Sequence, residues 1–552
     1  MIQLSKEDKI SKNGMVVTHH KEATNIGVDV LKSGGNAIDA AIASCLAVGV
    51  VQPASSGIGG GGYLVYEMSG KGGVIGFPMR GSSFTNADSY KLVDQEGGVG
   101  GFQWHGVENN DNLEGYKSIA IPGAISGLFL SHKMFGTIPI KDLMAPAIKL
   151  AREGFDPGWY DLYSIGLYSG KFTRYSELAR VFLPSGEMPK NGTLFKQSDL
   201  ADALEHISIE GEAEFYKGDI AKSITSEIKN NDGFVNFKDM SNYRPFHWNK
   251  GLQIKYFDSV VRVPPFASGG ITTAMTLKFY ETLKKSESFE KLYSYILAAK
   301  MAYSDRFEYL GDPDFVDVPW DGMVSDQYAF DRTKSFDVKS ESYKSRDPWQ
   351  YDEKQKRISI PGSYPSFDSG TTHLCVYDQF GNAVSLTNTL MGGFGSGIIP
   401  KDTGIIMNNG MMWFDPLKGR VNSVMPGKFP LNNMSPGLVL DKEGVKLALG
   451  AAGGRKITNC VSQLIIQLLE SDVNAQDAVD SPRVDCSNPI TLVDDRFEKS
   501  VLGKLSEFGN GFNVSDGVFS NNFSTPSVIK RMNNGDLSGG VHSFGNGSAK
   551  GI

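Results

Sequence analysis

Two threonines behind a glycine are the residues of this sequence best suited to nucleophilic chemistry. They lie in the stretch FDSGTTHLCVYDQFGNAVSLTNT, residues 367–389, in which Thr371 directly follows Gly370. A threonine hydroxyl is a weak nucleophile unless a base lies beside it, and one such base is the α-amino group of a threonine that begins a chain. That amine has a pKa of about 7.7 to 8, so it can accept a proton near neutral pH.

An internal threonine has no free amine, so this chemistry requires the chain to be cut before Thr371. The hydroxyl can itself attack the preceding carbonyl, and glycine at position 370 reduces crowding there. Residues 335–370 are charged, contain proline and lack a hydrophobic period, which is typical of a linker that could move away after cleavage. On these residues alone an ordinary strand is the simpler interpretation, because β-branched residues favour strands.

The flanking sequence predicts the elements that must position these residues. THLCVYD and AVSLTNT, joined by QFGN, have the signature of a β-hairpin. A strand, a helix that ends at residues 33–35 and an alanine-rich helix from Asn36 are predicted near the N-terminus, and mostly helices between residues 118 and 310. The segment LQIKYFDSVVRV predicts strands that end at Pro264. Further on, VKLALG predicts a strand, AAGG a turn and RKITNCVSQLIIQLLE a helix.

Two glycine-rich loops lack the context that nucleotide binding requires. In GIGGGGYLVYEM the glycines open a strand, whereas the dinucleotide fingerprint opens a helix. After GAAGG the sequence continues with Arg455, Lys456 and Ile457, whereas a phosphate-binding P-loop continues with Gly-Lys-Ser/Thr. We therefore predict no organic cofactor at either loop.

The composition argues against several other classes of protein. A net charge of −7 over 552 residues disfavours a nucleic-acid partner, which requires a basic face. The cysteines form no CxxC pair and the histidines no metal-binding motif, so we expect no metal site. Cys45 and Cys460 lie in apolar helical patterns and are predicted core residues. The first residues are polar and no apolar run of about 18 residues occurs, so we expect a cytoplasmic protein with no membrane partner.

Twelve motifs in order resemble those of the γ-glutamyltransferase family of N-terminal nucleophile hydrolases. They are SGGNAIDAAIA, GIGGGGYL, IPGAISGL, GTIPIKDLMAPAIKLAREGF, VPPFASGGITT, AYSDRFEYLGDPDF, DSGTTH, DQFGNAVSLTNTL, FGSGI, GIIMNN, PLNNMSP and GAAGGRKI. Together they span nearly the whole chain. The resemblance implies a four-layer αββα sandwich and self-cleavage between Gly370 and Thr371. A large subunit, residues 1–370, and a small catalytic subunit, residues 371–552, would stay associated as a heterodimer.

The resemblance also implies roles for individual residues. Thr371 matches the family nucleophile, with its new amine as the base, and Thr389 matches the threonine whose hydroxyl orients it. Gly453 and Gly454 match the pair whose backbone N–H groups form the oxyanion hole, which stabilises negative charge in a tetrahedral intermediate. Arg80, in GFPMRGSS, matches the arginine that binds a substrate carboxylate.

The sequence departs from the family pattern where a glutamyl group would be recognised. Where the family has NNQMDDF, this chain has NNGMMWF, with Met412 and Trp413 at the acidic positions. The other departures are Gly81 for the glutamate after the arginine, Met391 for an asparagine, and Asn432 and Asn433 for paired serines. An ammonium group has little reason to bind beside Met412 and Trp413, because an unpaired buried charge is costly.

We therefore expect an amidohydrolase or acyltransferase that acts on a small-molecule amide, with water or an amine as acceptor. Its acyl group would be γ-glutamyl or a related carboxylate-bearing group, recognised by Arg80, Trp413, Asn432 and Asn433. A catalytically inactive relative that binds ligands is the alternative. It is disfavoured because the Gly-Thr-Thr-His stretch, the second threonine and the glycine pair are all retained.

Overall fold

The structure is a computed structural model that describes residues 4–93, 105–284, 288–334, 347–351, 370–507, 511–517 and 520–552. Most of the predicted linker, residues 335–370, lies outside the described residues, so its character stays a prediction.

Strands and helices are numbered here in chain order. The strands are β1 Lys9–Ser11, β2 Met15–Thr18, β3 Gly61–Met68, β4 Lys71–Phe77, β5 Phe246–Asn249, β6 Leu252–Tyr256, β7 Ser259–Val263, β8 Gly370–Tyr377, β9 Ala383–Met391, β10 Gly437–Asp441, β11 Gly444–Ala452, β12 Val484–Asp485, β13 Thr491–Asp494, β14 Phe512–Ser515, β15 Thr525–Arg531, β16 Leu537–Val541 and β17 Ser548–Gly551. The helices are α1 Lys21–Lys32, α2 Ala37–Val51, α3 Ala124–Phe135, α4 Ile140–Glu153, α5 Trp159–Leu167, α6 Ser169–Phe172, α7 Ser176–Phe182, α8 Ser198–Glu210, α9 Glu212–Lys217, α10 Asp219–Asn230, α11 Phe237–Asn242, α12 Gly269–Leu283, α13 Ser288–Tyr309, α14 Trp320–Met323, α15 Asp326–Lys334, α16 Lys456–Glu470, α17 Ala475–Asp480, α18 Lys499–Ser506 and α19 Ser520–Phe523.

Two seven-stranded antiparallel sheets lie at the centre of the fold. The first sheet has the order β17-β2-β8-β9-β3-β4-β5, and the second has the order β1-β16-β15-β11-β10-β7-β6. Successive side chains of a strand point to opposite faces. On β8, Leu374 and Val376 therefore pack into a core beneath α1, α2 and α3, whereas Cys375 packs into the core between the sheets. Helices α12, α16 and α17 cover the second sheet, which confirms the predicted αββα sandwich.

The predicted hairpin is confirmed as β8 and β9, and its turn is fixed by a buried carboxylate. Asp378 Oδ1 accepts hydrogen bonds from the backbone N–H groups of Phe380 (2.9 Å) and Asn382 (3.0 Å). Its Oδ2 accepts a bond of 2.9 Å from the N–H of Ala37, the first residue of α2. The hairpin is thus tied to the helix that covers it.

Helix α2 confirms the predicted alanine-rich helix. Asn36 and Asp39 form a capping box at its start, and its residues are apolar on all sides, as expected of a helix buried within a protein. It packs against both β8 and β9. The predicted core positions Cys45 of α2 and Cys460 of α16 are both buried.

The glycine loop before β3 opens a strand, as predicted, and its glycines permit close approach of backbone to backbone. A Cβ atom added to Gly60 would lie 2.1 Å from the carbonyl oxygen of Thr389, and one added to Gly62 would lie 2.0 Å from that of Thr387. No side chain fits at either position, so these glycines let β3 lie directly beside β9.

Several strands differ from the prediction or were not predicted, among them β11 and β5. Strand β11 includes Ala451 and Ala452, which were predicted in a turn, because they pair with Pro526 and Thr525 of β15. Strand β5 was not predicted, since its four residues form an edge strand whose pattern is too short to detect.

Candidate active site

The two threonines singled out in the sequence lie opposite each other on β8 and β9. Thr371 pairs with Thr389 across the hairpin, and their hydroxyl oxygens are 3.0 Å apart. Both side chains are buried and face the space between the two sheets. Gly61 of β3 pairs with Thr389 on its other side, so the three residues lie at one level of the first sheet.

A chain of hydrogen bonds connects the Thr371 hydroxyl to the carbonyl group just before it. The Thr389 hydroxyl donates to the Gly370 carbonyl oxygen over 2.6 Å. Because a hydroxyl has one hydrogen to donate, the 3.0 Å contact then requires Thr371 to donate to Thr389. The N–H of Met391 donates to the same Thr389 oxygen over 2.9 Å. Thr389 can therefore hold the carbonyl and orient the hydroxyl at the same time.

Gly370 lies where only glycine fits. A Cβ atom at this position would come within 2.5 Å of the Ala54 carbonyl oxygen and 3.2 Å of the Ser55 Cα atom. Both are backbone atoms that cannot rotate away. The glycine therefore allows close packing of the peptide bond against residues 54–55, in addition to the reduced crowding predicted from the sequence.

Gly453 and Gly454 follow β11 in left-handed conformations, with φ of 132° and 63°. A Cβ atom on Gly453 would meet the Ser524 Cα atom at 2.9 Å. Neither backbone N–H donates a hydrogen bond to any residue that the structure describes. Two adjacent unused N–H groups can bind an anionic oxygen, as the sequence resemblance implied for this pair.

Arg80 presents a guanidinium group between two aromatic rings. Its Cζ atom lies 5.3 Å from the centre of the Phe246 ring and 5.6 Å from that of Phe429. Cation–π attraction holds the group in place. Its backbone is fixed by paired hydrogen bonds with Ile121, and in the described part of the chain no residue accepts a bond from the guanidinium. The donor fork is thus available to a carboxylate.

Asn432 and Asn433 are bound into the protein rather than left open. Asn432 Nδ2 donates to the Tyr63 hydroxyl (3.1 Å) and to the Ala267 carbonyl (2.8 Å). Asn433 Oδ1 accepts a bond of 2.9 Å from the buried Arg306. The structure therefore gives both asparagines a supporting contact that the sequence did not indicate.

Tyr63 lies near Arg80, accepts a hydrogen bond from Asn432 and belongs to the strand that pairs with Thr389. It lies on the inner face of β3 two residues beyond Gly61, a separation of about 7 Å along the strand. Burial raises the pKa of the Tyr63 hydroxyl, and the nearby Arg80 charge opposes that rise. Arg80 and Asn432 thus lie around the same ring, on the β3 side of Thr371 and Thr389.

Trp413 ends a 3₁₀ helix, Gly410–Trp413, and its side chain is 5 % exposed. Its indole N–H is buried and has no acceptor among the described residues. The Trp413 carbonyl accepts a 2.7 Å bond from Asn422, whose side-chain oxygen accepts a 2.8 Å bond from the N–H of Leu431. These bonds join the Trp413 segment to the irregular segment before β10 that carries Asn432 and Asn433.

Thr371 also borders an open cleft on the side of β2 and β17. This cleft, called here the Thr371 cleft, is lined by His19, Gln52, Ser55, Tyr160, Thr371, Thr525, Val541, His542, Phe544, Gly545 and Gly547. Thr525 pairs with Ala452, the residue before Gly453. The glycine pair is therefore adjacent to the wall of the cleft.

The lining of the Thr371 cleft is uncharged near neutral pH. Burial and, to a smaller extent, the charge of Lys6 together lower the pKa of His19 to about 4. Burial also lowers the pKa of His542 to about 3. Sequence inspection missed these residues and Tyr160 and Phe544, because they come from distant segments that no local motif connects.

A four-layer sandwich in which a threonine begins a central strand on the inner face is the architecture of the N-terminal nucleophile hydrolases. Within that class the chain belongs to the γ-glutamyltranspeptidase family, since the model described as Gamma-glutamyltranspeptidase matches residues 23–552. It is an amidohydrolase of the γ-glutamyltranspeptidase and acylase type.

Known relatives carry both kinds of name. The chain is 34% identical over 565 residues to a glutathione hydrolase proenzyme of Bacillus subtilis (strain 168), covering 99% of this chain and 93% of the relative. It is 31% identical over 511 residues to the acylase ACY 1 proenzyme of Pseudomonas sp. (strain V22), covering 92% and 88%. The structure of a cephalosporin acylase from Bacillus halodurans is similar with a TM-score of 0.86 and 25% identity, covering 99% of this chain and 97% of that one.

None of the described helices is both long and apolar enough to span a membrane.

Proposed function

We propose that this protein cleaves itself between Gly370 and Thr371 and then hydrolyses a carboxylate-bearing amide through an acyl ester on Thr371. The observation that carries this proposal is the chain of hydrogen bonds from the Thr371 hydroxyl through Thr389 to the Gly370 carbonyl oxygen, with contacts of 3.0 Å and 2.6 Å. It joins the attacking group and the attacked carbonyl through one side chain.

Self-cleavage can follow this chain without an external base. The Thr371 oxygen attacks the Gly370 carbonyl carbon, its proton passes to Thr389, and the Thr389 proton passes to the carbonyl oxygen. The bond between the carbonyl carbon and the Thr371 nitrogen then breaks as the hydroxyl group of the intermediate loses its proton and the carbonyl group re-forms, and the nitrogen takes up that proton. The resulting ester is hydrolysed by water, which yields a Gly370 carboxylate and a free Thr371 amine.

The same groups support turnover once the amine is free. The Thr371 amine takes the proton of its own hydroxyl, directly or through water, as the hydroxyl attacks the substrate carbonyl. Gly453 and Gly454 have unused N–H groups that can stabilise the oxyanion. The leaving amine departs with a proton, and water or a second amine releases the acyl group from Thr371.

The acyl group is expected to carry a carboxylate but no ammonium. Arg80 offers an unoccupied donor fork. The indole N–H of Trp413 is a donor only and cannot accept from an ammonium group. A glutaryl amide therefore fits this chain better than a γ-glutamyl amide. Its relatives include both a glutathione hydrolase and an acylase, and these names are consistent with either kind of amide.

The two fragments are expected to remain associated. Strands β8, β9 and β17 of the first sheet would belong to the small fragment, and β2, β3, β4 and β5 to the large one. Because β8 lies between β2 and β9, separation of the fragments would break both a shared sheet and the core beneath it.

A denaturing gel with N-terminal sequencing tests self-cleavage. We expect two fragments, about two-thirds and one-third of the mass of the chain, with the smaller one beginning at Thr371. Thr371→Ala should remain uncut and inactive, whereas Thr371→Ser keeps a hydroxyl and should still be cut. An active preparation that consists of a single full-length chain would overturn the mechanism. Release of aniline from glutaryl-anilide and γ-glutamyl-anilide then tests the acyl preference.

A further inference from the structure

We propose that an aromatic patch beside the Thr371 cleft binds the leaving-amine half of the substrate and favours flat, apolar or aromatic amines. The patch consists of Trp159, Tyr160, Tyr163 and Phe544. This inference rests on the proposed function, because it assigns a second part of the same substrate.

The patch is continuous with the nucleophile. Tyr160 and Phe544 line the cleft that Thr371 borders. The Phe544 ring centre lies 5.1 Å from that of Trp159, 5.8 Å from that of Tyr160 and 6.0 Å from that of Tyr163, in each case edge to face. Trp159 is 52% exposed and Tyr163 is 42% exposed, so the rings extend the wall of the cleft out to solvent.

The order of strands places this patch on the far side of Thr371 from Arg80. Arg80 adjoins Tyr63 of β3, which lies beyond β9 from Thr371. The loop that carries Phe544 leads into β17, and β17 and β2 lie on the other side of β8. An amide that extends from Arg80 across Thr371 would direct its leaving group towards β2 and β17, where the patch lies.

The patch is held in position before any ligand binds. Lys6 Nζ donates to the carbonyl groups of His542 (3.0 Å), Gly545 (3.1 Å) and Gly547 (2.6 Å), which fixes the loop around Phe544. Asn546 of that loop donates over 2.8 Å to Asp161, which caps the helix α5 that carries Trp159 and Tyr160. Rings that are already fixed lose little conformational entropy when a ligand stacks against them.

The described lining of the cleft beside the patch includes no Asp, Glu, Lys or Arg side chain, and Lys6 and Asp161 behind it are bonded to backbone carbonyls and to Asn546. His19 and His542 line the same cleft, and the pKa values to which burial lowers them keep both neutral near pH 7. Flat aromatic surfaces bind other rings edge to face or with an offset stack. An aromatic amine is therefore a better fit than a charged amino acid.

Two amides with one acyl group test this assignment: glutaryl-2-naphthylamide and glutaryl-methylamide. In Phe544→Ala and in Trp159→Ala we expect kcat/KM for the naphthylamide to fall about tenfold relative to wild type, with less than about a twofold change for the methylamide. Phe380→Ala removes a ring that is 67% exposed in the turn at the far end of β8 and should change neither value. Both amides form the same glutaryl ester on Thr371. The rate at which this ester is hydrolysed should be the same in the variants as in wild type, because the leaving amine has already departed.

Binding of free 2-naphthylamine, followed by its fluorescence, gives a readout that needs no turnover. We expect the two patch variants to bind it about tenfold more weakly than wild type or Phe380→Ala. If kcat/KM of the variants falls equally for both amides, or if the variants bind the free amine as tightly as wild type does, the assignment is wrong. If the amine binds as expected but wild type cleaves neither amide, the patch stands and the proposed function fails.

Discussion

The hydroxyl oxygens of Thr371 and Thr389 lie 3.0 Å apart across a buried hairpin, and Thr389 also donates to the carbonyl that precedes Thr371. The Thr389 side chain therefore contacts both the hydroxyl group that would attack and the carbonyl group that would be attacked in self-cleavage.

Thr389→Ala should slow both self-cleavage and substrate turnover by about a hundredfold, because the nucleophile and the carbonyl lose their common partner. The free energy of unfolding should fall by about 1 to 3 kcal/mol, since the Met391 N–H loses its acceptor and the Gly370 carbonyl loses its donor. The rate of fragment formation on a denaturing gel and a denaturant titration measure the two effects. Thr389→Ser keeps the hydroxyl and serves as the control. Normal rates in Thr389→Ala would mean that Thr389 is only a strand residue.

Gly370→Ala should slow self-cleavage about tenfold or more, an effect equivalent to roughly 1.4 kcal/mol of misalignment. The added Cβ atom would lie 2.5 Å from the Ala54 carbonyl oxygen, so the peptide bond must shift away from Thr389. The accumulation of uncut chain over time measures this effect. Gly503→Ala is a matched control, because a Cβ atom there meets nothing within 4 Å. Cleavage of Gly370→Ala at the wild-type rate would rule out this constraint.

Trp413→Asp should shift the preference from glutaryl-anilide towards γ-glutamyl-anilide by roughly ten- to a hundredfold, the value of one charge-assisted contact. The ratio of kcat/KM for the two anilides measures the shift. Trp413→Phe keeps a ring but removes the N–H, and it should not raise the γ-glutamyl preference. A wild-type protein that hydrolyses γ-glutamyl-anilide far faster than glutaryl-anilide would show that other residues bind the ammonium group.

The two buried histidines of the Thr371 cleft should make the protein less stable in acid. Burial lowers the pKa of His19 from 6.5 to about 4 in the folded state, so the unfolded chain takes up the proton first. His19 therefore contributes stability fully above about pH 6.5, and this contribution is lost as the pH falls towards 4. His542 behaves in the same way, with a folded pKa of about 3.

Chemical denaturation between pH 7 and pH 4 measures this loss. The free energy of unfolding of wild type should fall more steeply with decreasing pH than that of His19→Asn, by up to about 1.4 kcal/mol per pH unit. Equal slopes for the two proteins would show that His19 is not responsible.

Local patterns in the sequence predicted the elements of the site better than its lining. Alternation and a turn signature were enough for β8 and β9, and apolar runs with a cap were enough for α2, because these signals are short-range. The pairing of Thr371 with Thr389 follows from that hairpin. The supporting contacts of Asn432 with Tyr63 and Ala267 join segments far apart in the chain, so no local pattern records them.

Local sequence patterns also could not predict the lining of the Thr371 cleft. Phe544, in the loop before β17, contacts Trp159 at the start of α5, which is far away in the sequence, and neither segment contains a recognisable motif. The free guanidinium of Arg80 could be expected only from the family resemblance, whereas its position between Phe246 and Phe429 required the fold.

The alternation of strands from before and after residue 370 has a consequence for timing. In the first sheet, β8 is flanked by β2, from the first part of the chain, and β9, from the last part. The hairpin that carries the hydrogen-bond chain at Gly370 is therefore enclosed on both sides only after it has docked between β2 and β3, which belong to the first part of the chain. If self-cleavage proceeds as proposed, we expect the reactive amine to arise only in molecules in which this docking is complete. Incomplete or misassembled copies would remain uncut and inactive, so that self-cleavage would begin only when folding is complete.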